Sequence, residues 1–337
     1  MIPVALLTYL KPLQSYLDDK DVSEICINKP KEVWVERNGR FKQYDLPMLN
    51  LSYLQKLACL VAEYNKREIS SSTPTLSASL PNGERAQFVI EPACDKGSFI
   101  CSIRKPSISE ISIKDYFGQD KDNQDITNIN SAELLKTYFE NDYANFLKIA
   151  VKLKKNIVIS GGTSTGKTTF LNALLSHISF HERIITIETD REVKVPHPNK
   201  VHLLATEEGA SLADTSMLDL LKTSLRLRPD RILVSEIRGS EAYAYLRAIN
   251  SGHPGSITTL HADSPKGCFE QLTFMMLQAG TNLSRLDVLN YTKSVVDIVV
   301  QIKRNNLNKR YVSEIYFKDA EQKSYSKTIS LRKQYIS

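Results

Sequence analysis

The segment Gly161-Gly-Thr-Ser-Thr-Gly166-Lys167-Thr168 limits the fold of this chain more than any other. It follows an apolar run, Asn156-Ile-Val-Ile-Ser160, and precedes a stretch of helical spacing over 167–178. A buried strand that turns through glycines into a helix leaves the N–H groups of the first helical turn without partners in the chain. Such a turn curls around an anion, with the positive end of the helix dipole behind it. Glycine supplies the left-handed backbone and the close approach that the turn requires. Gly161, Gly162, Thr163, Ser164, Thr165, Gly166, Lys167, Thr168 and Thr169 are therefore the candidate phosphate-binding loop. Lys167 has the reach for the β- and γ-phosphates of a nucleotide, and the Thr168 hydroxyl is a candidate Mg2+ ligand.

The remaining pattern supports that setting. Strand-like runs at 156–160, 183–188, 231–236 and 256–261 alternate with helical spacing at 167–178, 214–227, 239–250, 264–279 and 284–294. Alternation of this kind predicts an α/β fold with a mostly parallel sheet covered on both faces. A long helix is expected from Ser131 to about Lys154, and a closing hairpin at Val295 to Lys303 and Arg310 to Phe317, followed by a basic tail. The first 105 residues read differently. Leu6, Leu10, Leu13 and Leu17 have the spacing of one amphipathic helix. Strands are expected at 23–28 and 32–36, with Asn38-Gly39 turning the second into 41–44, and again at 84–91 and 98–104; a helix is expected over Leu51 to Tyr64. The chain has 337 residues, which suits two domains at about 150 residues each. The expected division is an α+β domain at 1–105, a polar linker at 106–130 and an α/β domain at 131–337.

A nucleotide-cleaving loop needs acidic partners on neighbouring strands. Arg231-Ile-Leu-Val-Ser-Glu236 and Ile184-Ile-Thr-Ile-Glu188 both end in carboxylates, and Ser256-Ile-Thr-Thr-Leu-His261 ends in an imidazole. Strand C-termini converge on the ligand crevice of such sheets, which brings Glu188, Glu236 and His261 into consideration. Composition narrows the classes. Lys and Arg number 44 against 38 Asp and Glu, a net +6 that permits an anionic partner without requiring one. The five cysteines, Cys26, Cys59, Cys94, Cys101 and Cys268, form no CxxC pair and are read as reduced thiols. No run is long and apolar enough to span a bilayer, and residues 1–10 lack the marks of a signal peptide. His177 and His181 stand four apart without a third metal ligand in the pattern.

Taken in order, these segments resemble the hexameric traffic ATPases of type IV secretion systems, which group with the ATPases of type II secretion and of pilus extension and retraction. Residues 161–169 resemble that family's Walker A, Arg183 to Glu188 its Asp box, and Arg228 to Gly239 its Walker B, with Glu236 replacing the usual Asp. Ser251 to Ala262 resembles its His box. Val22 to Asn28, Val33 to Val35, Asn82 to Arg85 and Ser102 to Ser107 look like its N-terminal domain. Three positions depart from the pattern: Thr189 follows Glu188 where an Asp is usual, Ser164 stands where a third Gly is common, and Ser235 replaces a Gly.

The resemblance implies a RecA-like P-loop NTPase domain, a smaller α+β domain, and ATP with Mg2+ bound between them. On that footing Thr168 and, through water, Glu236 hold the metal. Glu188 is the first choice to activate water, with the two glutamates exchangeable in role. His261 senses the γ-phosphate, and Arg85 and Arg104 supply charge to the phosphates. The resemblance also implies a homo-hexamer working with inner-membrane secretion proteins, peripheral on the cytoplasmic face of the bacterial inner membrane. Assembly of a pilus and transfer of protein or DNA would be the work done. A type II secretion or pilus motor, a RecA-like nucleic-acid motor and a nucleotide-binding scaffold without turnover are the competing readings. Direct nucleic-acid binding is not indicated, since no basic, aromatic-lined path is visible. A GTPase is disfavoured because no NKxD occurs.

Overall fold

The computed structural model describes residues 2–106, 131–206, 215–307 and 309–321. The expected linker, apart from Pro106, and the basic tail beyond 321 lie outside the described residues. The chain forms two compact units, Met1–Glu110 with Phe180–Leu233 and Ile111–Ser179 with Val234–Ser337.

The N-terminal helix is not continuous. α1 (Val4–Leu10) passes through a 3-10 turn (Lys11–Leu13) into α2 (Gln14–Asp18). Pro12 has no N–H to give the α-helical ladder, so the chain tightens there. Leu6, Leu10, Leu13 and Leu17 remain buried together because residues three apart stay on one face through a 3-10 turn. β1 (Val22–Ile27), β2 (Glu32–Arg37) and β3 (Arg40–Asp45) follow as a meander. Asn38 and Gly39 take φ of 50° and 74° between the closing pair Arg37 and Arg40, the left-handed turn that suits a tight hairpin. α3 (Leu51–Tyr64) starts at Asn50, whose side chain accepts from the Tyr53 N–H. β4 (Thr75–Ser79), β5 (Arg85–Val89) and β6 (Ile100–Arg104) complete an antiparallel sheet ordered β3-β2-β1-β6-β5-β4. Leu6, Leu10, Leu13 and Leu17, with Leu54 and Val61 of α3, form one core with Ile25, Val33, Phe88 and Ile103.

Beyond residue 131 the elements are α4 (131–139), α5 (Tyr143–Lys152), β7 (Ile157–Gly161), α6 (Lys167–Leu175), β8 (Ile184–Glu188), β9 (Lys200–Leu204), α7 (Met217–Ser224), β10 (Arg231–Val234), α8 (Glu241–Asn250), β11 (Ile257–Leu260), α9 (Pro265–Gln278), α10 (Arg285–Val295), β12 (Ile298–Arg304) and β13 (Arg310–Phe317). The single helix expected over 131–154 is two helices. Asn141 takes a left-handed φ of 61°, and the Asp142 side chain caps α5 by accepting from the Asn145 N–H. The seven-stranded sheet has the order β13-β12-β7-β11-β10-β8-β9. β7 pairs in parallel with β11 on one side and β12 on the other, so all five of its residues are buried. β8 and β9 pair in parallel, and β12 and β13 form the expected antiparallel hairpin.

The second face of the smaller sheet is polar yet buried: Glu24, Cys26, Glu36, Gln87 and Ser102 lie there. It is closed within the same unit by the 180–233 segment. Arg183, fully buried, donates from one terminal nitrogen to Asn28 Oδ1 at 2.7 Å and to Asn199 Oδ1 at 2.5 Å, and from Nε to the Leu227 carbonyl at 2.9 Å. Arg228 pairs with Glu36 and with Asp230.

Candidate nucleotide-binding site

The end of β7 is crowded, and that crowding shapes the loop. A Cβ on Gly161 would stand 2.8 Å from the Ile302 carbonyl oxygen and 2.6 Å from Thr165 Oγ1, so only glycine fits. The Thr165 hydroxyl donates to the Gly162 carbonyl at 2.8 Å and ties the loop on itself. Ser164 and Gly166 both take left-handed backbone, φ 61° and 91°. The serine at 164 thus adopts the conformation for which a glycine is the cheaper residue. Gly166 is the N-cap of α6, and Lys167 is its first residue.

Lys167 is buried, and its Nζ donates to the carbonyls of Gly161 and Gly162, each at 3.1 Å. The same nitrogen lies 3.3 Å from His261 Nε2. Burial lowers the Lys167 pKa; the nearby Glu236 carboxylate opposes that shift and Arg238 adds to it. Glu236 sits two residues past the end of β10, where Thr259 of β11 fixes the backbone: its hydroxyl donates to the Ser235 carbonyl at 2.7 Å and its carbonyl accepts from the Ile237 N–H at 3.0 Å. Arg238 binds Glu236 Oε2 through Nε at 2.8 Å and a terminal nitrogen at 2.6 Å. His261 Nε2 stands 2.6 Å from Glu236 Oε1, off the line that a hydrogen bond needs, so Oε1 is a buried acceptor without a donor. Glu241 accepts from the N–H groups of Arg238 and Gly239 at 2.6 and 2.8 Å and closes the start of α8. Lys167, Glu236 and His261 are thus brought together, from three of the motifs read in the sequence.

An orphaned carboxylate oxygen beside the phosphate-binding lysine suits a hard cation, which takes oxygen ligands and keeps some of its own water. Glu236, together with the partly buried Thr168 at the second position of α6, therefore fits Mg2+.

The other candidates lie in the first unit. Glu188 is fully buried at the end of β8 and is bound by four donors. Oε1 accepts from the Thr186 hydroxyl at 2.9 Å and from Arg191 at 2.6 Å; Oε2 accepts from the N–H groups of Glu192 and Val193 at 2.8 and 2.7 Å. Arg191 also pairs with Asp95 at 2.9 Å. Thr186 has one proton and gives it to Glu188, so the 2.7 Å contact with His202 requires the imidazole to donate from Nδ1. Burial, with Arg191 and Lys200 nearby, depresses the His202 pKa to about 3. Arg85 and Arg104 face one another in register on β5 and β6, both with exposed side chains. Like charges placed opposite one another cost stability in the absence of a shared counter-ion.

Arg191, Arg238 and Arg310, whose side chain lies across Gly166, were not among the residues read from the sequence. Arg238 falls inside the 228–239 segment that resembles the Walker B, with no role read for it there, and Arg191 stands three residues after Glu188, a proximity that is its only sequence signal. Arg310 is 144 positions from Gly166 (310 less 166) and has none.

A family model described as type II/IV secretion system protein matches residues 7–328. The type IV secretion system protein VirB11 of Bartonella quintana (strain Toulouse) is 40% identical, over 95% of this chain and 94% of that protein. VirB11 of Brucella suis biovar 1 (strain 1330) is 38% identical, over 92% and 89%. The crystal structure of the VirB11 ATPase from the Brucella suis type IV secretion system in complex with sulphate superposes with a TM-score of 0.86 at 37% identity, covering 95% of this chain and 96% of that one.

Proposed function

This chain belongs to the type II/IV secretion system protein family, and we infer that it is the ATP-hydrolysing traffic motor of a type IV secretion system. The observation that carries the reading is the convergence of Lys167, Glu236 and His261 on the phosphate loop, in a chain whose relatives align over 92–95% of its length. It is an ATPase, as its relatives' likeness at 37–40% identity requires.

Lys167, whose Nζ donates to the loop's own carbonyls, would reach the β- and γ-phosphates of a nucleotide while the loop N–H groups hold the remaining oxygens. Mg2+, held by Thr168 and Glu236, would offset phosphate charge. His261 stands between Lys167 and Glu236, with Nε2 3.3 Å from the lysine nitrogen and 2.6 Å from Glu236 Oε1, a position suited to respond to loss or gain of the γ-phosphate. We assign Glu236 to the reacting end of the nucleotide. Glu188, with all four of its contacts made to protein donors, holds Arg191 and the 188–193 turn as a positioning residue. Arg85 and Arg104 are assigned to the phosphates, where a shared anion relieves their mutual repulsion.

The working form proposed is a homo-hexamer, peripheral on the cytoplasmic face of the bacterial inner membrane and engaged with the membrane proteins of its secretion system. No helix among the described residues is long and apolar enough to cross a membrane. Hydrolysis assays on point variants test the assignments. Glu236→Gln should retain ATP affinity and lose turnover by about 10²-fold or more. Arg85→Ala with Arg104→Ala should lower kcat by about 10²- to 10³-fold. Full activity of Glu236→Gln with loss only in Glu188→Gln would reverse the roles of the two glutamates.

A further inference from the structure

The hairpin of β12 and β13 brings a cation to the phosphate loop. β12 runs parallel to β7 until Ile302 stands opposite Gly161. The chain then turns and returns at Arg310, whose backbone pairs with Arg304. From that position the Arg310 side chain lies over the loop: its Cδ, Nε and Cζ are 2.7, 3.0 and 3.3 Å from where a Cβ on Gly166 would be. Gly166 is the residue from which α6 and Lys167 start, so the guanidinium sits at the same helix N-terminus that the loop offers to an anion.

Two features show that packing alone does not explain this placement. Arg310 is exposed and, among the described residues, its guanidinium has no carboxylate partner. It also faces Arg304 directly across the ladder, so two guanidinium-bearing residues stand side by side on the hairpin. An arginine keeps its charge at any working pH, and its planar fork matches two phosphate oxygens.

We propose that Arg310 is a phosphate-contacting residue of this site, its guanidinium donating to the phosphate chain of a nucleotide held by the 161–169 loop. The inference rests on the reading of that loop as an ATP site. It adds a cation from the C-terminal hairpin, separate from Lys167, lying over a position whose left-handed φ of 91° favours glycine.

The test is calorimetric titration of the full chain and of Arg310→Ala and Arg310→Lys with ADP and, separately, with inorganic pyrophosphate. Arg310→Ala should weaken both ligands by about tenfold or more, the range of a lost charge-assisted hydrogen bond. Arg310→Lys should fall between, and added guanidinium ion should restore part of the alanine variant's affinity. If both ligands bind Arg310→Ala as they bind the wild type, Arg310 only packs on Gly166 and the proposal fails. If ADP weakens while pyrophosphate does not, the arginine touches the base or sugar and the phosphate assignment is overturned. If the alanine variant melts early, Arg310→Lys, which keeps the aliphatic stem on Gly166, decides alone: unchanged affinity for both ligands refutes the proposal. Failure of the wild type to bind either ligand would remove the ATP site itself, and the inference with it.

Discussion

Ser164 holds a left-handed backbone at φ 61° inside the loop that must bind phosphate. An L-residue with a side chain is strained there, and glycine is not, although glycine loses more entropy on folding. Ser164→Gly should therefore stabilise the chain by about 0.5–1 kcal/mol in urea unfolding, the left-handed cost less the extra entropy. A second residue-scale consequence concerns acid. His202 is held neutral by burial, its pKa near 3 against an ordinary 6.5. The unfolded chain binds a proton there that the folded chain refuses, so this group's contribution is complete above pH 6.5 and is lost as pH falls below it. Between pH 6.5 and 5 the loss is about 2 kcal/mol, at about 1.4 kcal/mol per pH unit. Thermal unfolding at the two pH values should show a smaller difference in His202→Gln than in the wild type; an identical difference would mean that His202 is not the group responsible.

Among the elements, those set by local chemistry were readable and those set by distant partners were not. Asn38-Gly39 fixed the β2–β3 hairpin, and the unbroken apolar run at 157–160 marked β7 as an interior strand. β4, Thr75-Leu-Ser-Ala-Ser79, is an edge strand poor in β-formers, and β9 alternates weakly around Lys200 and His202; both form because a neighbouring strand is present to pair with. The helix breaks at Pro12 and Asn141 fell inside runs whose apolar spacing continued across them. Within the site, Lys167 lies in the glycine-rich loop motif and Glu236 and His261 each end a strand-like run, so local sequence nominated all three. Arg238 and Arg310 gain their positions from tertiary folding. The 3-10 turn after α1 gives a measurable consequence at this scale. Leu13 is fully buried within it, so Leu13→Ala should cost about 2–5 kcal/mol in urea unfolding despite its place at a helix break.

At the scale of the whole molecule, the two compact units and the likeness to VirB11 proteins over 92–95% of the chain frame the motor. A ring is the proposed working state, and electron microscopy with a non-hydrolysable ATP analogue should give six-fold particles; particles that remain single under those conditions would remove the hexamer from the account. Everything else depends on hydrolysis at the loop between β7 and α6. The most direct measurement is the rate of phosphate release from Mg2+·ATP by the purified chain and by Lys167→Ala. The account predicts steady turnover by the wild type and a loss of about 10²-fold or more in the variant, since one preorganised cation at the reacting phosphates is removed. Equal rates in the two proteins would contradict it.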